Sequence, residues 1–312
     1  MLGAKKRIVL IGWDFDGDLD LDRNAQDVEG PREIADLFCW LTARNPELEI
    51  FILRWDVGLL KMILRGNALG TFLKWRKQKR IHARLDAHHP PAGSHHQKIV
   101  VIDDRMAFLW RREHLDDDER RRDRNGEINK PWHDVTTALS GPAARALGDL
   151  FRERWIAAGG DPVGEAEVDS TPWPEALEVQ FDNVDVAIAR SAPEMDDSQP
   201  IREIEQLYLE QIAQAERFIY AESQYFASRR IAEAIARRLE EEDAPEIVLI
   251  NPLTADSWLE PVAIDTARAR LFEAVKKHDR HGRFRIYHPF TAGGEPIYVH
   301  AKVTIIDDKV IR

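Results

Sequence analysis

The 312-residue chain has a single cysteine, Cys39. One thiol excludes an internal disulfide framework and fits a reducing compartment, so the expected localisation is the cytoplasm. No apolar stretch approaches the roughly 18 residues of a membrane span. The basic and apolar start of the chain imitates a signal peptide, but the run Ile8-Val9-Leu10-Ile11 is short, and Asp14, Asp16 and Asp18 follow at once. It reads as a buried strand. Basic charge is in deficit too: 44 Lys and Arg against 55 Asp and Glu leave a net charge of −11. Bulk charge therefore cannot hold nucleic acid, and such binding would need a local basic groove. A carboxylate-rich metal cluster is also missing, and the expectation is no metal and no cofactor. His88, His89, His95 and His96 lie close together, but their irregular spacing around Pro90, Pro91 and Gly93 reads as a loop leading into a strand.

What the chain does have is an internal repeat. Arg7-Ile8-Val9-Leu10-Ile11 has a counterpart in Arg217-Phe218-Ile219-Tyr220, each a short run of branched and aromatic residues. A helix follows in each half, with Ile34, Leu37, Phe38 and Leu41 on one face of the first and Ile231, Ile235 and Leu239 on one face of the second. Strands are then predicted over 48–53 and 246–250, over 81–85 and 284–287, and over 98–102 and 302–306. Partners are offset by 210 residues at Arg7/Arg217, 197 at Ile34/Ile231 and 204 at His96/His300. A strand-helix-strand unit repeated in this order implies an α/β protein, with a sheet flanked by helices in each half. Gly159, Gly160, Pro162, Gly164, Pro172 and Pro174 punctuate an acidic linker. The expected domains are therefore 1–160 and 161–312. Measured against its own repeat, the second domain is expected to be truncated at its C-terminus.

Two segments share one polar pattern. His96-Gln97-Lys98 is followed by Asp103 five residues after the lysine, and His300-Ala301-Lys302 is followed likewise by Asp307. On extended chain, residues i and i+2 face the same way, so each copy projects an imidazole and an ammonium together. If the halves pack about a pseudo-two-fold axis, one shared active site holds two of each. That set suits a phosphodiester. The lysines neutralise the non-bridging oxygens, one imidazole attacks phosphorus, and the other protonates the leaving alcohol.

The doubled His-x-Lys-x4-Asp pattern resembles the signature of the phospholipase D superfamily. Other segments resemble its phospholipase D/transphosphatidylase branch: His95-His96-Gln97-Lys98 with the strand that follows, Trp132-His133-Asp134-Val135, Gly141-Pro142-Ala143-Ala144 and Glu222-Ser223-Gln224-Tyr225-Phe226. The resemblance covers nearly the whole chain and implies two tandem phospholipase D-like domains, each a mixed β-sheet flanked by helices. It also implies His96 as nucleophile, His300 as general acid, Lys98 and Lys302 on the phosphate, and Asp103 and Asp307 as mainly structural. Odd-even parity agrees on Asp103, which is out of phase with His96 and Lys98. The carboxylate that orients the nucleophilic imidazole falls on Asp134, and the one that orients His300 is expected beyond Arg312.

The function so implied is a phosphodiesterase or phosphatidyltransferase acting on glycerophospholipids through a phosphohistidine, with water or an alcohol as acceptor and no obligate protein partner. Two alternatives stand beside it. One is a nuclease of the same superfamily, which the net charge disfavours. The other is a catalytically impaired phospholipid- or phosphate-binding member, motivated by Trp110, Arg111 and Glu113 where the family carries two small residues and an Asn or Asp. The basic run at 74–80, with Trp75 inside it, reads first as a solvated helix end. Its second reading is peripheral contact with anionic headgroups, to which each cation adds about 1 kcal/mol. Glu222 and Gln224 stand at a strand end, either near a site or bound to backbone.

Overall fold

The structure is a computed structural model that describes residues 1–13, 17, 21, 29–56, 68–91, 93–109, 130–169, 173–195, 198–254 and 261–312. The chain divides into two compact units. The first takes the described residues of Met1–Trp110, Thr136–Ile188 and Pro193–Pro200, and the second those of Arg111–Val135, Ala189–Ala192 and Ile201–Arg312.

The elements run β1 (Arg7–Gly12), α1 (Ile34–Arg44), β2 (Glu49–Trp55), α2 (Ala68–Arg76), β3 (Ile81–Asp86), β4 (Ile99–Ile102) and β5 (Met106–Leu109). After β6 (Trp132–His133), which belongs to the second unit, β7 (Thr137–Ser140) and α3 (Pro142–Ala157) complete the first. Two short strands, β8 (Ser191–Ala192) and β9 (Ile201–Arg202), pair with each other. The second unit continues with α4 (Glu203–Gln214), β10 (Phe218–Glu222), α5 (Arg229–Leu239), β11 (Glu246–Ile250), α6 (Pro261–Lys276) and β12 (Phe284–Tyr287). It closes with β13 (Tyr298–Val299), β14 (Val303–Ile306) and β15 (Val310–Ile311).

The first sheet has the order β3-β2-β1-β4-β5-β7 and the second β12-β11-β10-β14-β15. In each, three parallel strands meet an antiparallel strand at the same place, so β1 corresponds to β10 and β4 to β14. The repeat is thus present as a duplicated mixed sheet with helices packed on it. Its central strands are apolar on both faces in the first unit: Ile8, Val9, Leu10 and Ile11 are all buried. A strand covered on both sides reads as a continuous apolar run, and this one does. Ile8 and Leu10 pack under α1 and α2 with Phe38 and Trp75, while Val9 and Ile11 pack on α3 with Leu147, Phe151 and Trp155. The second sheet buries Ile219, Ile247, Leu249, Phe284 and Ile306 with Ile235 and Val275 of α5 and α6.

Helix α3 seats closely for two reasons. Gly141 has a positive φ of 73°, a conformation a side chain would resist, and Pro142 follows at the first helical position, where its missing N–H costs nothing. Gly148, nearly two turns further along the helix, faces the Asp104 carboxylate so closely that a Cβ would lie 2.1 Å from Oδ1. The chain beyond residue 160 still binds the first unit. Ala166 N–H donates to Asp104 at 2.8 Å, and Arg105 donates to the Val168 carbonyl at 3.0 Å.

Trp75 is 2% exposed and packs on Phe38 with centroids 5.6 Å apart. The basic run at 74–80 therefore presents its charges to solvent with its aromatic residue turned into the core. No described helix is long and apolar enough to cross a membrane.

Candidate active site

The two motif aspartates occupy equivalent cages. Strand β4 turns into β5 through Asp103 and Asp104, and β14 into β15 through Asp307 and Asp308, all four with φ between 52° and 57°. Such turns need left-handed residues at both central positions, which Asp tolerates better than most side chains. The first aspartate of each turn then points back under the sheet. Asp103 accepts from the N–H groups of Lys5, Lys6 and Arg7 at 2.7–2.8 Å, and Asp307 from those of Glu216, Arg217 and Phe218 at 2.8 Å. Burial alone would push the Asp307 carboxyl up; the three backbone donors, with Lys309 nearby, together outweigh it and hold the group below its ordinary value. Both aspartates tie the chain before the central strand to the turn after the His-x-Lys strand. They are parts of the frame.

Each His-x-Lys lies just before its strand, on extended chain at the start of β4 or β14. In both copies the lysine Nζ donates to the carbonyl of its own histidine at 3.3 Å. His96 is exposed and lies 6.1 Å, centroid to centroid, from the indole of Trp13, which stacks on Trp55. Between His96 and Lys98, Gln97 accepts from Arg154 of α3, whose other nitrogen meets the buried Asp86 at 2.6 Å. Burial disfavours the Asp86 carboxylate, but His95 and Arg154 together outweigh it and lower its pKa; burial in turn lowers that of Arg154. His89 Nδ1 meets the Pro90 carbonyl and Nε2 meets Asp56, both at 2.8 Å. Burial works against charge on this ring; the Pro90 carbonyl and Asp56 prevail and raise its pKa. The histidine-rich loop is thus held by carboxylates and backbone as it leads into the motif.

His300 is set differently. Its Nδ1 lies 2.6 Å from Asp134 Oδ2, both side chains being nearly buried, at 11% and 5% exposure. This corrects the expectation that Asp134 orients His96 and that the orienting carboxylate of His300 lies beyond Arg312. The reason is the pairing of β6 with β13, Tyr298 opposite Trp132 and Val299 opposite His133. That pairing lets the His133 carbonyl accept from the amides of His300 and Ala301, at 2.8 and 3.1 Å, and leaves the next residue, Asp134, against the ring. A carboxylate on Nδ1 fixes the tautomer and stabilises positive charge on the ring when Nε2 takes a proton. Trp132 covers the ring, with centroids 4.8 Å apart.

A second layer holds these groups. His133 Nε2 lies 2.8 Å from Glu222, and Tyr220 donates its hydroxyl to the same carboxylate at 2.6 Å. Burial, followed by the Glu222 interaction, pushes the Tyr220 phenol up to about 12. Gln224, 7% exposed, accepts from Lys302 Nζ at 3.0 Å and donates to the Tyr298 hydroxyl at 2.8 Å. Sequence reasoning left Glu222 and Gln224 undecided and gave no role to Trp132, His133 or Tyr298. The available signal was position, since Glu222 ends the strand that pairs with β14, opposite Val303 next to Lys302.

The structure thus groups His300, Lys302 and Asp134 in the second unit, and His96 and Lys98 in the first. Trp110, Arg111 and Glu113 lie outside the described residues. Among the described residues no three His, Cys, Asp or Glu side chains converge as a metal site would require.

These features define a class: a duplicated α/β protein with a histidine and a lysine at the start of the corresponding strand in each copy. Solved structures share this fold. A phosphatidylserine synthase from Haemophilus influenzae Rd KW20 matches over 99% of this chain and 73% of its own, at 15% identity and a TM-score of 0.57. A polyphosphate kinase from Porphyromonas gingivalis matches over 97% of this chain and 39% of its own, at 12% identity and a TM-score of 0.50. No family profile matches the sequence, and no curated protein sequence does. The chain shares the fold of these two proteins, in line with the resemblance to the phospholipase D superfamily that the sequence carries.

Proposed function

We propose that this chain transfers the phosphoryl group of a phosphodiester, most simply a glycerophospholipid, to water or an alcohol through a phosphohistidine. The observation that carries this reading is the pair of His-x-Lys segments at equivalent strand starts, one with its imidazole held by a buried carboxylate. In the first step His96 Nε2 forms a bond to phosphorus as the bond to the leaving oxygen breaks, and His300 gives that oxygen its proton. In the second, His300 Nε2 takes a proton from the acceptor, whose oxygen displaces His96. Lys98 and Lys302 balance charge on the non-bridging oxygens. Asp134 supports the acid-base role for His300, because it stabilises the charged ring that gives up its proton in the first step and is regenerated in the second. The likeness to a phosphatidylserine synthase supports a phospholipid substrate.

The test is release of choline or ethanolamine from phospholipid vesicles by the chain and by His96→Asn and His300→Asn. Each variant is expected to lose at least about a thousandfold in turnover, and acid-labile phosphate should be trapped on His96. Full activity in either variant overturns the mechanism, and turnover of single-stranded DNA without lipid turnover moves the substrate to nucleic acid.

A further inference from the structure

A cavity of about 160 Å³ lies inside the second unit, between the sheet and helices α4 and α5. Its wall is formed mainly by Ile212, Ile219, Ile235, Leu249, Phe284 and Ile306, all buried. Tyr225, Ala227 and Ser228 are exposed and mark its open end. Cavities of about 150 Å³ with Leu, Ile and Phe walls stay dry and take up benzene, so this one has room for an apolar group of roughly six carbons.

One polar atom sets its chemistry. Gln211 of α4 lines the cavity and is 8% exposed, and its side-chain Oε1 is buried with no hydrogen-bond partner among the described residues. Of the side chains around the cavity, no other has a buried atom left unpaired in this way. Glu222, at the rim, is engaged by His133 and Tyr220. A buried acceptor without a donor is costly. A hydroxyl on an apolar body satisfies both demands.

We infer that this cavity is a binding site for an alcohol, aliphatic or aromatic, of about six carbons, whose hydroxyl donates to Gln211 Oε1. The site is separate from the histidine centre, but the two share a wall. Ser223 and Tyr225 line the cavity on either side of Gln224, the residue that accepts from Lys302. A bound alcohol rests against the loop that sets the position of that ammonium.

Phenol and toluene differ mainly in the hydroxyl, so titrating each onto the full chain by calorimetry tests the inference. Phenol should bind with a Kd on the order of 0.1 mM, a reasonable affinity for seven heavy atoms. Toluene should bind roughly tenfold more weakly because it leaves the acceptor unpaired. Gln211→Leu should abolish the preference for phenol while keeping toluene, and Ala221→Leu should fill the space and weaken both at least about tenfold. Thermal melts establish which variants are folded, and either variant alone decides the matter. No phenol binding at about 10 mM, a preference that survives Gln211→Leu, or binding indifferent to Ala221→Leu would each overturn the proposal.

Discussion

The two His-x-Lys copies share a frame and differ in what surrounds the imidazole. In both, an aspartate cages three backbone amides below the sheet and the lysine reaches its histidine's carbonyl at 3.3 Å. Around that frame the copies diverge. His96 is exposed beside Trp13, and the residue after it, Gln97, is braced by Arg154. His300 is 9% exposed, is bound by Asp134, and is followed by a fully buried alanine, Ala301. The two copies thus share a scaffold and differ in how open the imidazole is, and the proposed mechanism assigns attack to the accessible ring and proton transfer to the enclosed one. Removing the orienting carboxylate puts the largest strain on this contrast. Asp134→Asn should lower kcat by about 10²- to 10⁴-fold, the range for misorienting a catalytic imidazole, with little loss of stability. Single-turnover measurements should place the loss in both proton transfers. Unaltered kcat would mean that the asymmetry is structural only.

Where the copies agree, equal damage is expected. Asp103→Ala and Asp307→Ala each leave three part-buried amides without their acceptor and should each cost about 3 kcal/mol by urea denaturation. The Asp307 carboxyl also carries a pH signature. Its folded pKa lies below the ordinary aspartate value of 3.8. Its contribution is therefore complete above that value and is lost as the pH falls toward the depressed one. Asp307→Asn should lower stability at neutral pH and flatten its decline below about pH 4. A variant as acid-sensitive as the parent would show that the decline arises elsewhere.

The frame was legible in the sequence because it is local and periodic. Apolar runs gave the strands, and the out-of-phase Asp103 already pointed away from the histidine. The match was off by one residue at one place. Sequence identity pairs Arg7 with Arg217, whereas the aspartate cages and the register, Ile8 opposite Ile102 and Ile219 opposite Ile306, pair Arg7 with Phe218. Asp134 is read from the sequence as the partner of His96, whereas the structure sets it against His300. Its partner is 166 positions away and depends on a two-residue pairing between β6 and β13, which no periodicity announces. The Asp86–Arg154–Gln97 brace was hidden in the same way, since Arg154 reads as one more charge near a helix end.

The sheets offer a third contrast. The first is covered on both faces, with α3 closing the second face. On the matching face of the second sheet, Tyr287 is 52% exposed, and Ile311 at the sheet edge is 60% exposed. Gly148 lets α3 lie against Asp104, so Gly148→Ala should force helix and turn apart at a cost of about 2 kcal/mol. The loss should appear as earlier thermal unfolding of the first unit, with the second unchanged in hydrogen exchange. Uniform loss across both units would show that they unfold together.

The smallest effect concerns Lys302. Lys302 is held by Gln224 from a neighbouring strand end. If Gln224 fixes the ammonium where phosphate charge grows, Gln224→Leu should lower kcat/KM roughly tenfold, about the worth of one hydrogen bond to a charged group. Gln224→Glu should restore part of the loss, because a carboxylate can still accept from Lys302. It should also raise KM for an anionic substrate by adding negative charge beside the phosphate. A residue that merely fills space would respond to both changes alike, so the split between kcat and KM is what identifies Gln224 as a positioning residue.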